Sequence, residues 1–217
     1  MIHTHLINGM TIKTGDILCT SDGTPHSWFG RLWQLIGYLV PGKIDHIIIY
    51  IGPGGRFVEA GARGVIEFEM SGPRWDASQV VELRLLVDTL IGVAYPLQGL
   101  KMGPEQEERI RSAVASYCID HVGKPYNANF LRVATNEAFY CSQLAYLAYR
   151  EAGVDIGVTP VNLMADSDDK TENTPLLVLP TALLENCEHR LLRNRRWLGA
   201  ARRTTTRQLK RADSPTL

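Results

Sequence analysis

The sequence lacks the long apolar run that a membrane-spanning helix requires. Such a helix needs about 20 mainly apolar residues, and the longest candidate, Trp28 to Val40, is interrupted by Gly30, Arg31, Gln34 and Gly37. The first eight residues show neither a basic start nor an apolar core, so no secretory signal peptide is visible. We therefore expect no transmembrane segment and a cytoplasmic location in the producing cell. If the protein acts in a target periplasm, a specialised secretion system would export it.

Cysteine is scarce and widely spaced. The chain of 217 residues has four cysteines, and no two of them form a C-x-x-C pair. This spacing argues against a zinc ribbon and against a dense disulfide framework. A chain of this length can bury a core without such cross-links. We predict one domain over residues 1–201, with no metal and no other cofactor.

Neither sign of charge dominates the composition, but the two signs are unevenly distributed. Up to His189 there are 14 Lys and Arg residues against 22 Asp and Glu residues, a net charge of −8. From Arg190 onwards there are nine against one, a net charge of +8. Residues 202–217 have almost no apolar side chains, which predicts a disordered basic tail. Its charge suits an anionic surface or a nucleic acid, but a solvated extension is the simpler interpretation, and we expect no specific nucleic-acid partner.

The hydrophobic pattern predicts strands followed by helices. A continuous β-branched and aromatic run at Ile44–Ile51 indicates a buried strand, and the turn residues Gly52–Gly55 predict a hairpin with Arg56–Ala60. Further strands are predicted at Thr14–Thr20 (after a turn), Gly64–Glu69 and Gln79–Val87. Helices are predicted at Trp28–Leu39, Pro104 to about His121, Tyr140–Ala152 and Val178–Glu185. This order is typical of an α+β fold with an antiparallel sheet.

Three residues could form a nucleophilic site, because cysteine hydrolases need a thiolate, a base and a group that orients the base. Cys141 lies in the first turn of a predicted helix, where the helix dipole and unbonded N–H groups favour a thiolate. His46 opens a buried strand. Glu59, a carboxylate within an apolar run, lies on the hairpin partner of that strand, which places it near His46. The structural alternatives are a buried core cysteine, a bonded core histidine and a paired structural carboxylate.

Five short segments, in their order along the chain, resemble the circularly permuted NlpC-type papain-like hydrolases, and most of all their YiiX/YaeF-like group. The resemblance covers about residues 14–190 and lies in these segments: Gly15-Asp-Ile-Leu18, Asp45-His-Ile-Ile-Ile-Tyr-Ile-Gly52, Val58-Glu-Ala60, Gly123-Lys-Pro-Tyr126 and Phe139-Tyr-Cys-Ser-Gln-Leu144. It implies a permuted papain-like fold, in which a small antiparallel sheet or barrel packs against helices. The nucleophile would then lie at the N-terminus of a helix, and the His and its acidic partner would precede it in the chain.

The same resemblance implies roles for individual residues. Cys141 would be the nucleophile, His46 the base and Glu59 the group that orients the base. Tyr126 and Tyr140 would line the substrate and oxyanion site. The implied reaction is hydrolysis of an amide, with peptidoglycan peptides as the first substrate class. An antibacterial effector of this kind would have a secretion-system or immunity-protein partner.

Three alternatives stay open. The fold could act on lipid-like acyl groups, as a hydrolase or an acyltransferase. It could be a catalytically silent binding module, although the intact set of Cys141, His46 and Glu59 argues against that. The same three side chains could bind zinc, but no ligand-spacing motif supports a metal site.

A second cysteine motif, Asn186-Cys187-Glu188-His189, resembles the nucleophile segment of the lecithin:retinol acyltransferase group. In that group a long apolar helix follows the Cys, whereas here a basic segment follows it. We therefore prefer Cys141 to Cys187 as the nucleophile.

Overall fold

A computed structural model describes residues 1–21, 44–127, 136–156, 161–162 and 176–192. The helix predicted at Trp28–Leu39 and the tail predicted at residues 202–217 lie outside these ranges. Within the described ranges, no helix has the length and apolar character needed to cross a membrane.

The chain begins with a hairpin of two short strands, β1 (Thr4–Ile7) and β2 (Met10–Lys13). The turn between them is Asn8-Gly9, whose φ angles are 47° and 76°. Asn and Gly tolerate this backbone region, and the pair is the strongest short signal for a two-residue hairpin turn. The pattern analysis above predicted no strand here, although the signal is present in the sequence.

The other strands that the structure describes are β3 (Ile17–Ser21), β4 (His46–Gly52), β5 (Arg56–Gly61), β6 (Gly64–Glu69), β7 (Thr89–Tyr95), β8 (Val161–Asn162), β9 (Leu176–Leu177) and β10 (Glu188–Leu191). Six of them form an open antiparallel sheet in the order β10-β7-β3-β4-β5-β6, while β8 pairs with β9. The strands predicted for β3 to β6 are confirmed. Strands β7 to β10 were not predicted.

Four α-helices lie in the described ranges: α1 (Val81–Arg84), α2 (Pro104–Asp120), α3 (Cys141–Glu151) and α4 (Pro180–Asn186). The last three confirm the predicted helices to within a few residues. Pro104 opens α2 because a proline at the first helical position gives up an N–H that has no partner there. Gly153 follows α3 with a φ of 77°, a backbone region that favours glycine after a helix.

The strand predicted at Gln79–Val87 is wrong. The segment forms a short 3-10 helix, Ala77–Val80, which leads directly into α1. Asp76 caps its start, because the carboxylate accepts from the backbone N–H of Ser78 at 3.2 Å. Leu85 ends the helix in the left-handed region, with a φ of 57°. The hydrophobic pattern suggested a strand, but the cap and this left-handed residue produce a helical turn instead.

The sheet has a hydrophobic core on each face. One face packs against α2, α3 and α4, with Ile49 and Val58 among the buried residues. The other face packs against the β1–β2 hairpin and contains Tyr50 and Phe57. Since both faces are covered, β4 is buried along its whole length, which explains its unbroken apolar sequence.

Candidate active site

His46 and Glu59 meet through the register of the β4–β5 hairpin. Ile49 lies opposite Val58, and the same register places Glu59 opposite Ile48. Alternate residues share a face, so Glu59 and His46 are diagonal neighbours on one face of the sheet. His46 Nε2 lies 2.9 Å from Glu59 Oε2, and neither side chain has exposed surface. The hairpin therefore brings together the two residues that the turn pattern had placed near each other.

Cys141 lies near His46, the residue at which β4 begins. It is the first residue of α3, which packs on β4 and β5. Its backbone N–H has no acceptor within the helix, and the helix dipole favours negative charge at this end. Cys141 lies close enough to His46 to raise the pKa of the imidazole. Because Nε2 of His46 contacts Glu59, a proton exchanged between His46 and the thiol would use Nδ1.

The charges around His46 and Glu59 reinforce each other. Burial lowers the pKa of His46, but the charge of Glu59 and hydrogen bonds with Cys141 and Glu59 outweigh it and raise the pKa to about 10. Burial raises the pKa of Glu59, but the charges of Arg84 and His46 outweigh it and hold the pKa at about 2. At neutral pH the carboxylate is therefore ionised and the imidazole protonated, a state that stabilises a neighbouring thiolate.

Residues 11–186 match the family described as permuted papain-like amidase enzyme, YaeF/YiiX, C92 family. The chain belongs to this family. Its fold is also similar to the crystal structure of metalloprotein yiiX from Escherichia coli O157:H7, with a TM-score of 0.51. The two chains are 18% identical, and the alignment covers 83% of this chain and 96% of that one. None of the curated proteins matches.

Membership of the C92 family confirms the family resemblance and the permuted papain-like α+β fold drawn from the sequence. The family is one of amidases, so the coarse prediction of an amide hydrolase is supported as well. The described strands form an open sheet, and no closed barrel occurs among them.

A buried arginine also contacts Glu59. Arg84 has no exposed side-chain surface and donates to Glu59 Oε2 from Nε at 3.0 Å and from Nη2 at 2.6 Å. On its other edge Nη1 and Nη2 donate to the two carboxylate oxygens of Asp88 at 2.8 and 3.0 Å. The hydroxyl of Thr20 donates to Asp88 at 2.6 Å. An unbroken chain of contacts therefore runs from His46 to Thr20.

Sequence reasoning missed Arg84 and Asp88. Arg84 lies in the segment that was predicted as a strand, and Asp88 directly follows that segment. No motif in the segment indicated a functional residue. The Arg-x-x-x-Asp spacing predicts an ion pair only within a helix, and here the helix ends at Arg84. Such pairs are common on exposed helix surfaces, so the spacing indicates a buried site only once the fold is known.

Tyr126 is partly buried and lies beside the segment that leads into Cys141. It forms a β-bridge with Phe139, and Asn127 N–H donates to the carbonyl of Phe139 at 2.9 Å. Burial, followed by the charges of Cys141 and Tyr140, raises the pKa of Tyr126 well above its usual value. The phenol is therefore neutral and retains a proton to donate.

Tyr140 directly precedes the nucleophile candidate, and its hydroxyl contacts the protein backbone. The hydroxyl accepts from the N–H of Val178 at 3.0 Å, and Ser142 Oγ donates to the carbonyl of the same residue at 2.7 Å. These two bonds tie residue 178 to the start of α3. The predicted role of Tyr140 toward substrate stays a prediction, and its described contact serves the scaffold.

The other three cysteines lie in environments that disfavour a thiolate. Burial raises the pKa of Cys19 and Cys118, and it raises that of Cys187 to about 11. Cys187 lines a surface cavity of about 610 Å³, but His189 Nδ1 contacts its backbone carbonyl at 3.0 Å rather than its thiol. The motif around Cys187 therefore lacks the thiol–imidazole contact that Cys141 has.

The alternative of a zinc site gains no geometric support. In the part of the chain that the structure describes, no group of three or more His, Cys, Asp or Glu side chains is arranged to hold a metal ion.

Proposed function

We propose that this C92-family protein is a cysteine-dependent amide hydrolase with Cys141 as nucleophile, His46 as base and Glu59 as the group that orients the base. The observation that carries the proposal is the 2.9 Å contact of His46 with Glu59, together with a thiol at the start of a helix that lies close enough to His46 to influence its pKa. Nucleophile, base and orienting carboxylate are the parts that acyl transfer through a thiol requires.

The first half-reaction forms a thioester. The Cys141 thiolate attacks the carbonyl carbon of the amide, a C–S bond forms, and the carbonyl oxygen takes the negative charge. When the tetrahedral intermediate collapses, the C–N bond breaks and the amine nitrogen takes the proton of the His46 imidazolium. Glu59 holds the ring in place during this transfer, because it accepts from Nε2 throughout.

The second half-reaction regenerates the site. His46, now neutral, takes a proton from a water molecule as the water oxygen attacks the thioester carbon. The C–S bond then breaks, the acid product leaves, and Cys141 returns as a thiolate beside a protonated His46.

Two donors suit the oxyanion that forms in each half-reaction. The backbone N–H of Cys141 is free of helical acceptors at the first position of α3. The Tyr126 phenol retains its proton near Cys141. Preorganised donors of this kind are among the largest contributions to acyl-transfer rates.

We further propose peptide amides of peptidoglycan as the substrate. The amidase description of the family favours an amide over an ester. The net charge of +8 beyond His189 favours attraction to a polymer that carries carboxylates.

The test of the nucleophile is selective alkylation. Iodoacetamide applied to the purified protein at neutral pH should label Cys141 before Cys19, Cys118 and Cys187, as mapped by mass spectrometry, and His46→Ala should slow the labelling. Even labelling of all four cysteines, or labelling only after unfolding, would show a binding module instead of a hydrolase.

The test of the substrate compares purified muropeptides with an N-acyl amide lipid. Release of new amino groups from muropeptides, lost in Cys141→Ala and kept in Cys187→Ala, supports the peptidoglycan assignment. Turnover of the lipid alone would reassign the enzyme to acyl-lipid chemistry. Periplasmic expression should then be toxic for the wild type and harmless for Cys141→Ala if peptidoglycan is the target.

A further inference from the structure

We propose that Arg84 is a positioning residue that keeps Glu59 ionised and correctly oriented, so that Glu59 can support the Cys141–His46 pair at acidic pH. This inference rests on the proposed function of Cys141, His46 and Glu59. It adds a residue on a separate helix whose effect on the reaction passes through Glu59 alone.

The contacts of Arg84 show how it fixes the carboxylate. Glu59 Oε2 accepts two bonds from Arg84 and one from His46, so the same oxygen is held from both sides. The guanidinium is itself held by a two-pronged contact with Asp88, and it stacks on the rings of Phe68 and Trp75 at 4.9 and 5.1 Å from their centroids. A planar group bonded on two edges and covered on its face has little freedom to turn.

Arg84 also supplies the charge that Glu59 needs. A fully buried carboxylate without a cation gains a proton readily, since burial alone raises its pKa. Of the two cationic groups beside Glu59, His46 is titratable, whereas Arg84 stays charged at every accessible pH. Removing Arg84 would also leave Asp88 and Glu59 as two neighbouring buried carboxylates, of which one would bind a proton.

In the described residues, few charged or titratable groups face His46 and Glu59. Glu59 from β5 and Cys141 from α3 face His46, and Arg84 from α1 faces Glu59. Asp88, just before β7, faces Arg84, and Thr20 from β3 contributes a neutral hydroxyl. Tyr126 faces Cys141 as a neutral phenol. Arg84 is therefore the permanent cation of the cluster.

Removal of Arg84 should weaken the support of Glu59 for the His46 imidazolium at acidic pH. In the wild type Glu59 is ionised down to a pH of about 2, so it stabilises the His46 imidazolium in acid. In Arg84→Gln, Glu59 becomes protonated at a higher pH, and the imidazolium loses its partner below that point. The pH midpoint of Cys141 alkylation should then move upward, and the alkylation rate on the acidic limb should fall about tenfold, the change expected for a shift of about one pH unit.

The experiment measures the rate of Cys141 alkylation by iodoacetamide against pH, with the full chain and without any substrate. Four proteins are compared: wild type, Arg84→Gln, Glu59→Gln, and the double variant. If Arg84 acts through Glu59, adding Arg84→Gln to Glu59→Gln should move the midpoint no further. Arg111→Gln is the matched control, because it removes another buried arginine with a carboxylate partner and should leave the midpoint unchanged.

Arg84→Lys separates charge from orientation and keeps the test valid if Arg84→Gln does not fold. It retains the cation, so the midpoint should stay within about 0.3 units of the wild type, while the two-edged contact is lost and turnover of amide substrate should fall. Full turnover in folded Arg84→Lys would overturn the orienting role. An unchanged midpoint in folded Arg84→Gln, or a further shift in the double variant, would overturn the charge role.

Failure of this inference is distinguishable from failure of the proposed function. If wild-type Cys141 alkylates with an ordinary thiol profile, the nucleophile assignment is wrong. If wild-type Cys141 reacts in acid and Arg84→Gln reacts with the same profile, only the role of Arg84 is wrong.

Discussion

In the described part of the chain, two buried arginine–carboxylate clusters use similar bond lengths and end on different groups. Arg111 is 4% exposed and donates to Asp16 Oδ1 at 2.8 Å and to the backbone carbonyl of Thr14 at 2.6 Å. Arg84 donates at similar distances, but its carboxylate contacts the imidazole of His46. Arg111 also donates from Nε to Glu107 at 2.8 Å. The Arg111 cluster therefore contacts backbone and a second carboxylate, whereas the Arg84 cluster contacts an imidazole.

The backbone around Asp16 shows what the Arg111 cluster does. The second carboxylate oxygen of Asp16 accepts from the N–H of Lys13 at 2.8 Å. Gly15 has a φ of 91°, and its carbonyl accepts from the Tyr149 hydroxyl at 2.7 Å. This cluster fixes the loop between β2 and β3 against α2 and α3. The group beside the carboxylate therefore distinguishes a buried ion pair that fixes the backbone from one that contacts an ionisable ring.

The largest expected effect is on the free energy of unfolding, and it concerns the Arg111 cluster. Arg111→Met leaves the Asp16 carboxylate buried without its cation, which should lower the free energy of unfolding by about 3–5 kcal/mol. Urea unfolding followed by circular dichroism measures this loss. Turnover per folded molecule should stay at the wild-type level, and a drop in turnover at full folding would erase the distinction between the clusters.

The next effect is on turnover, and it belongs to the Arg84 cluster. Glu59→Gln keeps the shape of the side chain and removes the charge beside His46, so kcat should fall by about ten- to a thousand-fold. Asp16→Asn is the matched substitution in the other cluster and should leave kcat nearly unchanged. Both variants are first checked for folding by circular dichroism. Full activity in folded Glu59→Gln would remove the orienting role, and an unfolded variant would point to a structural carboxylate.

The sequence predicted the parts of the site that follow from local pattern. The run at Ile44–Ile51 and the glycine turn placed His46 near Glu59, and Cys141 was placed at a helix start from its flanking residues. Arg84 could not be placed, because its segment is leucine- and valine-rich and its burial depends on Phe68 and Trp75 from elsewhere in the chain. Tertiary contacts of this kind leave no local pattern.

A smaller effect is the pH dependence of stability, whose sign should differ between the clusters. The pKa of Glu59 falls from 4.5 to about 2, so its stabilisation is complete above pH 4.5 and is lost as the pH falls toward 2. Burial raises the pKa of Asp16 above 3.8, so its contribution is complete below pH 3.8 and is lost as the pH rises through the folded-state pKa.

Thermal unfolding measured at a series of acidic pH values gives the change of stability with pH that each carboxylate causes. The stability difference between wild type and Glu59→Gln should shrink as the pH falls, because the wild type loses its ionised carboxylate. The wild type should lose stability relative to Asp16→Asn as the pH rises. Slopes of the same sign would mean that the two carboxylates experience similar environments.

The smallest expected effect concerns the basic segment, which should influence neither cluster. Residues 202–217 have Leu209 and Leu217 as their only large apolar side chains, so they can bury too little surface to offset the entropy of ordering. Truncation after Ala201 should therefore leave the melting temperature, the alkylation profile of Cys141 and the turnover of a small peptide nearly unchanged. An effect is expected only on a polymeric anionic substrate, and it should fade at high salt because screening weakens the attraction. A fall of many degrees in melting temperature would instead show that the segment binds the acidic body of the protein and that the domain extends beyond Ala201.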